Sequence, residues 1–318
     1  MRETNIRQDA PIDYQALVDG VLSDAASYRG HGDLAPQVPA LTQVDPNKLG
    51  IALALGDGSL YCAGDSDEPF SLQSIANVFT LSLTLGHVGA ALWNHVGREP
   101  SGSPFNALVQ LENEKGKPRN PMINSGAIVM CDQLIGRDPP EEAIEEILQF
   151  LRERSGDDSI ACDEKVAMSE SSAGAFNRAL AHFIAASGNL TNSVEDVLSV
   201  YFHQCAIRMS CRQLAKAALY LAFDGMDPVS KAEICNPSRS RRINALMLTS
   251  GHYDNSGDFA VRIGLPGKSG SGGGILTTIP GIGAVAVWSP GLNAARTSLA
   301  GAVALEKLVE RTGWSVFV

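Results

Sequence analysis

A serine, Ser74, stands where a buried helix is predicted to begin. The turn-rich residues 64–69 precede it, and an apolar run that continues to Leu85 supplies more than one helical face. In the first turn, free backbone N–H groups and the positive end of the helix dipole can stabilise negative charge on a nucleophilic serine. A serine in this place can equally cap the helix with its hydroxyl. The stretch alone leaves both interpretations open.

The residue one helical turn further along separates the two interpretations. In serine acyl-transferases with the motif S-x-x-K, a lysine stands one turn from the nucleophile. Here the fourth position is Asn77. A carboxamide has no basic lone pair near pH 7, so it cannot accept the serine proton. A serine in the position of the nucleophile is therefore present, whereas the lysine that usually acts as its base is absent.

Further polar residues occur at or near predicted helix starts. Asn124 opens a helix with small residues, which suits either the wall of a polar pocket or a plain N-cap. Glu170 precedes an alanine-rich helix that contains Asn177, and such a glutamate either complements the helix dipole or has a functional role. Tyr201 lies on the helix predicted over residues 194–205. The local sequence does not decide between these alternatives.

The composition is that of an ordinary globular protein. The 318 residues are 44% hydrophobic and 19% charged, with a formal net charge of −10. This acidity argues against nucleic acid or an anionic membrane as a partner. The six cysteines lack metal-ligand spacing, so we expect free thiols, no metal site and a cytoplasmic location. Residues 1–13 are too polar for a signal peptide, and we expect no apolar run long enough to span a membrane.

The order of predicted elements indicates a sheet that is built from both ends of the chain. One β-hairpin is predicted over residues 49–63 and another over residues 275–288. Helices predicted over residues 14–28 and 299–312 would cover this antiparallel sheet, and the middle of the chain is almost all helical. The expected fold class is therefore α/β, of the α+β type.

These elements predict one domain of two lobes over residues 1–318. The sheet lobe would comprise about residues 1–70 and 240–318, and the helical lobe about residues 71–239. The cleft between the lobes is the expected pocket. The glycine-rich run 264–274 lacks the order of a phosphate-binding loop and precedes a strand rather than a helix, so it does not predict a nucleotide site.

Five sequence blocks, spread over most of the chain, carry a resemblance to a known family. They are FSLQSI at 70–75, VGREPSG at 96–102, NPMINSGA at 120–127, YFHQC at 201–205 and GLPGKSG at 264–270. In this order they are similar to blocks of the bacterial-type, serine-dependent glutaminases. The resemblance runs from about Leu41 to the C-terminus. It implies a fold like that of serine β-lactamases and penicillin-binding proteins, with an antiparallel sheet flanked by terminal helices and an all-helical lobe.

The resemblance also implies a reaction, the hydrolysis of the side-chain amide of L-glutamine through a glutamyl-serine intermediate. Ser74 would be the nucleophile, with Tyr253 as a catalytic tyrosine beside it. Backbone N–H groups of Ser74 and near Ser271 would bind the oxyanion. The residues that would hold the amino-acid head group are Asn124, Glu170, Asn177 and Tyr201. No metal or organic cofactor is implied, and the assembly would be a homodimer or homotetramer.

The chain departs from the family pattern at several positions. Asn77 replaces the S-x-x-K lysine, and Ala76 stands where serine is usual. Tyrosine, valine and alanine are usual at the positions of Gln37, Ser271 and Gly267, respectively. Loss of a general base costs roughly two to four orders of magnitude in rate. Several changes together fit a weakened or retuned site.

Three hypotheses follow from these departures. In the first, the chain is a working glutaminase in which Tyr253 is the base because Lys268 lowers its pKa. In the second, the chain binds glutamine or glutamate without catalysis. In the third, it is an amidohydrolase retuned to another small amide.

Overall fold

The computed structural model describes residues 12–102 and 107–317, so the polar segment 1–11 lies outside the described residues. Within them the strands are β1 (Gly50–Leu55), β2 (Leu60–Gly64), β3 (Phe70–Ser71), β4 (Ala161–Cys162), β5 (Ile207–Met209), β6 (Gly267–Ser269), β7 (Gly274–Ile279) and β8 (Gly283–Trp288). The helices are α1 (Tyr14–Ala25), α2 (Ala76–Val88), α3 (Leu92–His95), α4 (Leu108–Asn113), α5 (Asn124–Ile135), α6 (Pro140–Ser155), α7 (Glu164–Ala173), α8 (Ala175–Ala186), α9 (Val194–Cys205), α10 (Cys211–Ala217), α11 (Leu219–Ala222), α12 (Pro237–Ser250), α13 (Ser256–Arg262) and α14 (Leu299–Thr312).

The main sheet joins the two ends of the chain, as the sequence predicted. Its five strands have the order β2-β1-β8-β7-β6, and every neighbouring pair is antiparallel. The central pairing places Gly50 opposite Trp288. The edge strand β6 is the one strand of this sheet that periodicity did not predict, because its three residues lie inside the glycine-rich run.

The two faces of the sheet carry side chains of different size. On β1 the large residues Ile51, Leu53 and Leu55 pack in one core cluster with residues of the terminal helices α1 and α14. Ala52 and Ala54 belong to the other cluster, on the face where α10 packs against β1 and β8. Because side chains alternate along a strand, a G-I-A-L-A-L sequence gives one bulky face and one face that a helix can approach closely.

Helix α2 packs inside the larger core, and nine of its 13 residues are buried, including polar ones such as Asn77 and Thr80. We expected no apolar run to reach the length of a membrane span, and by length and composition this expectation is wrong. The segment Gln73–His95 has 23 residues, and its most apolar window of 18 residues has a mean hydropathy of 1.5. In its most apolar window, 61% is buried inside the protein, and core helices of soluble proteins meet the same criterion.

The middle of the chain is almost wholly helical, with one small sheet as the exception. Strand β5 pairs antiparallel with both β3 and β4, so that Phe70 lies opposite Met209. The backbone N–H of Leu72 donates to the carbonyl of Ile207 at 2.8 Å. These bonds fix the segment that leads into Ser74. The division of the chain into two lobes at residues 70 and 240 stays a prediction.

Candidate active site

A cavity of about 420 Å³ brings together all seven residues that the sequence analysis placed in the site. Its lining includes Ser74, Asn124, Glu170, Asn177, Tyr201, Tyr253 and Ser271. They come from the residues before α2, from α5, α7, α8 and α9, from the residues after α12 and from the β6–β7 turn. The volume lies in the range of small-molecule pockets, roughly 300–1,000 Å³.

Ser74 lies in a short 3₁₀ turn, Gln73–Ile75, that leads into α2. The N-cap residue of α2 is Ile75, and no side chain caps this helix end. The alternative in which Ser74 caps the helix is therefore wrong. Instead, the Ser74 side chain is hydrogen-bonded to Tyr253 at the cavity wall.

Two residues beside this hydrogen bond have left-handed backbones. Gln73 has a φ of 51° and Tyr253 a φ of 58°, which is uncommon for residues other than glycine. The Gln73 amide has several hydrogen-bond partners. Its nitrogen donates to the Ser71 hydroxyl at 2.9 Å and the Cys205 carbonyl at 3.2 Å, and its oxygen accepts from the Ser271 hydroxyl at 3.2 Å. Such strain persists where surrounding contacts over-determine the backbone, and it is concentrated at functional sites.

The amine of Lys268 is fully buried beside Tyr253. Its nitrogen lies 4.3 Å from the centre of the Tyr253 ring and donates to the carbonyl of Ser269 at 2.5 Å. Burial lowers the pKa of Lys268 to about 7. Burial also raises the pKa of Tyr253 to about 12, although the hydrogen bond from Ser74 opposes this change. The expectation that Lys268 lowers the Tyr253 pKa is wrong, because both groups lie where charge is poorly solvated.

The imidazole next to Tyr253 is a poor candidate for the missing base. His252 is fully buried, stacks on Phe259 with ring centres 3.5 Å apart and has a pKa well below its usual value because of burial and the nearby Lys268. A methyl group at Gly267 would lie 2.7 Å from the Phe259 ring and 2.9 Å from His252 Nε2. Gly267 therefore fits this ring pair, where an alanine would collide with it.

Asn77 faces the interior and is not among the cavity-lining residues. It is 1% exposed, and its carbonyl oxygen accepts a hydrogen bond from Gln204 at 3.1 Å. Its amide nitrogen makes a long bond of 3.5 Å to the carbonyl of Met122. Gln204 in turn accepts from Thr80 at 2.5 Å. The position expected to hold a lysine is thus part of a buried chain of neutral hydrogen bonds.

Asn124 and Asn177 meet across the cavity wall. The side-chain nitrogen of Asn124 donates to the side-chain oxygen of Asn177 at 2.9 Å. Asn124 is the first residue of α5, but the N-cap is Ile123 and no side chain caps it. The N-cap alternative for Asn124 is therefore wrong. Both amides keep further polar atoms for a ligand, since each carboxamide can make about four hydrogen bonds.

Glu170 lies in the second half of α7 and not before a helix, so the alternative in which it complements a helix N-terminus is wrong. It is 7% exposed, and burial raises its pKa to about 7 while a hydrogen bond from Gln73 opposes the change. Tyr201, on α9, is 4% exposed and hydrogen-bonds the Cys205 thiol, and burial raises its pKa well above the usual value. A buried carboxylate and a buried phenol thus line one cavity.

The sequence analysis missed several lining residues. Gln73 is adjacent to Ser74, and Arg296 is on the loop after β8. Arg296 donates from Nη1 to the side-chain oxygen of Gln37 at 3.3 Å. Gln73 could have been found from its place inside the FSLQSI block, whereas no local pattern marks Arg296.

Sequence comparison identifies the family of the chain that carries these residues. The glutaminase family model matches residues 32–317. A glutaminase of Rhizobium rhizogenes is 56% identical over 305 residues, which cover 96% of this chain and 99% of the relative. The chain belongs to the glutaminase family. A thermolabile glutaminase of Rhizobium etli is 54% identical over 305 residues, with the same coverage of both chains.

Solved glutaminase structures share the fold. The probable glutaminase YbaS has a TM-score of 0.89 and 32% identity, and the match covers 96% of this chain and 99% of that one. A probable glutaminase from Bacillus subtilis, complexed with 6-diazo-5-oxo-L-norleucine, has a TM-score of 0.87 and 28% identity over 98% of this chain and 99% of that one. The predicted family and the β-lactamase-like α/β fold are confirmed.

Proposed function

We propose that this glutaminase-family protein hydrolyses the side-chain amide of L-glutamine to L-glutamate and ammonia. The observation that carries the proposal is the hydrogen bond between Ser74 and Tyr253 in a cavity that also contains Glu170 and the Asn124–Asn177 pair. A nucleophile and a group that can transfer its proton thus lie in one pocket, together with side chains that can bind an amino acid.

The amino-acid head group of the substrate is zwitterionic, so it needs partners of both kinds. Glu170 supplies the carboxylate for its ammonium group, with charge-assisted hydrogen bonds that are stronger inside a buried site. The amides of Asn124 and Asn177 and the phenol of Tyr201 donate hydrogen bonds to its carboxylate. The side-chain amide is thereby directed toward Ser74.

The reaction proceeds by acyl transfer in two steps. The Ser74 oxygen bonds to the amide carbon and gives up its proton. That proton is passed to the amide nitrogen, the C–N bond breaks, and ammonia leaves. Water then attacks the glutamyl ester, releases glutamate and returns a proton to Ser74. The backbone N–H groups of Ser74 and near Ser271 stabilise the oxyanion in both steps.

The proton of Ser74 needs an acceptor other than Asn77. Tyr253 is the hydrogen-bond partner of Ser74, but its pKa of about 12 leaves almost no phenolate at pH 7. Lys268, beside the Tyr253 ring, has a pKa of about 7 and is therefore about half neutral there. We infer that Tyr253 relays the serine proton to the Lys268 amine, whose nitrogen must turn from the Ser269 carbonyl and accept from the Tyr253 hydroxyl.

The test is ammonia release from L-glutamine by the wild type, Ser74→Ala and Asn77→Lys, with the exposed Ser172→Ala as the matched control. An active wild type with an inactive Ser74→Ala supports the proposal. A silent wild type with an active Asn77→Lys would overturn it, because the chain would then have lost its base.

A probe that reports on Ser74 without turnover sharpens this test. The Bacillus subtilis relative is complexed with 6-diazo-5-oxo-L-norleucine, and we propose that the same compound reacts with Ser74 here. Mass spectrometry should then find a modified peptide containing Ser74 in the wild type and not in Ser74→Ala.

A second candidate function is binding of glutamine or glutamate without catalysis. The neutral hydrogen bonds that hold Asn77 in the position of the family lysine favour it. Calorimetric binding of L-glutamate together with no ammonia release would support this candidate. Release of ammonia from a panel of other small amides, and not from glutamine, would instead identify a retuned amidohydrolase.

We also propose that the protein works in the cytoplasm as a homodimer or homotetramer, without a metal or organic cofactor. The acidic composition and the family resemblance support this proposal. Analytical ultracentrifugation measures the assembly, and a monomer at micromolar concentration would contradict it.

A further inference from the structure

Arg296 is a cation in the cavity wall, and no carboxylate in the described part of the chain pairs with it. It lines the cavity together with Glu170 and the exposed Asp254. Among the residues that the structure describes, no acidic side chain lies within ion-pair distance of its guanidinium, and Gln37 is its one side-chain hydrogen-bond partner. A guanidinium has five N–H donors in a planar fork that matches a carboxylate. Most of this donor capacity is directed to no described side chain.

The backbone at Arg296 is held in an unusual conformation. Its φ is 61°, a left-handed value that favours glycine. The Asn293 side-chain oxygen accepts from the N–H groups of Ala295 at 2.9 Å and Thr297 at 3.1 Å, so it fixes the turn on both sides. Strain in a well-held residue of a cavity wall is a reason to look for a function of its side chain.

Gln37 connects Arg296 to a second loop. The two loops are also joined by backbone bonds between Asp33 and Leu292, at 3.0 and 2.9 Å. The bond from Arg296 Nη1 to the Gln37 oxygen is 3.3 Å long and joins a charged donor to a neutral amide. A carboxylate is a stronger acceptor for the same fork. Gln37 therefore holds the guanidinium in place without occupying all of its donors.

We propose that Arg296 binds the α-carboxylate of the amino-acid ligand, with Gln37 as the positioning residue. This inference rests on the proposed function, in which the ligand is an α-amino acid. Arg296 and Glu170 then give the zwitterionic head group one partner of each sign. The assignment makes Arg296 a specificity determinant for α-amino acids over amines that lack the carboxylate.

The experiment compares two ligands that differ in this one group. L-glutamate and 4-aminobutyrate share the amine and the terminal carboxylate, but 4-aminobutyrate lacks the α-carboxylate. Calorimetry measures both on the wild type, Arg296→Gln, Arg296→Gly and the surface control Arg241→Gln. We expect the wild type and the control to prefer L-glutamate by roughly 10- to 100-fold, the range of a charge-assisted hydrogen bond. Both Arg296 variants should lose at least tenfold of this preference.

The variant Arg296→Gly distinguishes the effect of losing the side chain from the effect of a damaged fold. Glycine adopts a φ of 61° without strain, so this variant should unfold at a temperature no lower than that of the wild type. An Arg296 variant that weakens both ligands equally, or neither, would overturn the inference. If the wild type releases ammonia from glutamine and keeps its preference in both variants, then the inference alone fails. If the wild type binds neither ligand and releases no ammonia, then the proposed function fails with it.

Discussion

The two walls of the cavity are built in different ways. The first wall, which we call the helical wall, carries its polar side chains on four regular helices: Asn124 on α5, Glu170 on α7, Asn177 on α8 and Tyr201 on α9. The second, which we call the strained wall, carries Ser74 and Tyr253 on short 3₁₀ turns, where Gln73 and Tyr253 have positive φ. Regular helices suit groups that recognise a ligand, and strained turns hold groups whose geometry must not relax.

Because separate walls carry them, the residues that recognise the ligand and the residues that react with it can change independently. The helical wall keeps every polar residue that the resemblance predicts, and two of its amides hydrogen-bond each other. Next to the strained wall, Asn77 stands where the family lysine is expected. We therefore expect variants of the strained wall to act on kcat and variants of the helical wall to act on KM.

The largest effect is expected for Lys268→Met, which removes the amine and keeps the length of the side chain. If Lys268 is the base, kcat should fall by roughly two to four orders of magnitude with KM within threefold. Steady-state ammonia release measures both constants, and thermal unfolding checks the fold. Arg241→Gln serves as the control because it removes a positive charge at the surface.

The pH dependence of kcat is a second test of Lys268 as the base. Burial lowers its pKa to about 7, so the amine is neutral above that pH and charged below it. A neutral amine can accept a proton, and kcat should therefore rise as the pH increases through 7. The same rise in Lys268→Met would show that another group titrates and that Lys268 is not the base.

An effect of intermediate size is expected for Glu170→Gln on the helical wall. Loss of the carboxylate for the ligand ammonium should raise KM and the Kd for L-glutamate by roughly 10- to 100-fold, with a smaller change in kcat. Calorimetry with L-glutamate measures the binding step alone. The exposed Glu195→Gln is a matched control on the same half of the chain. A loss confined to kcat would show that Glu170 acts in the reaction and not in ligand binding.

Proton release on ligand binding tests the charge state of Glu170. Burial raises the Glu170 pKa to about 7, and a bound ammonium group lowers it again because opposite charges favour the ionised form. Binding near pH 7 should therefore release a fraction of a proton, and affinity should fall as the pH drops below 7. Calorimetry in two buffers with different ionisation enthalpies measures this release. Glu170→Gln should show none of it.

Sequence patterns predicted the elements of the two walls better than their chemistry. The 3.6-residue periodicity placed α14 at 299–312 and α9 at 194–205, because apolar faces are local signals. The burial of Lys268 beside Tyr253 and the bond between Arg296 and Gln37, 259 residues apart, depend on contacts between distant segments. No window of sequence contains such information. For the same reason the pKa of Tyr253 was predicted in the wrong direction.

The smallest effect on activity is expected for Asn77→Ala. Asn77 accepts from Gln204 in a buried chain of hydrogen bonds, so its removal leaves a donor of Gln204 unpaired and should lower the free energy of unfolding by about 1–3 kcal/mol. Because a carboxamide accepts no proton at pH 7, kcat should stay within a fewfold of the wild type. Urea unfolding and ammonia release measure the two quantities, with the exposed Asn94→Ala as the control. A hundredfold loss of kcat at unchanged stability would instead place Asn77 in the reaction, and the proton route through Tyr253 and Lys268 would then have to be abandoned.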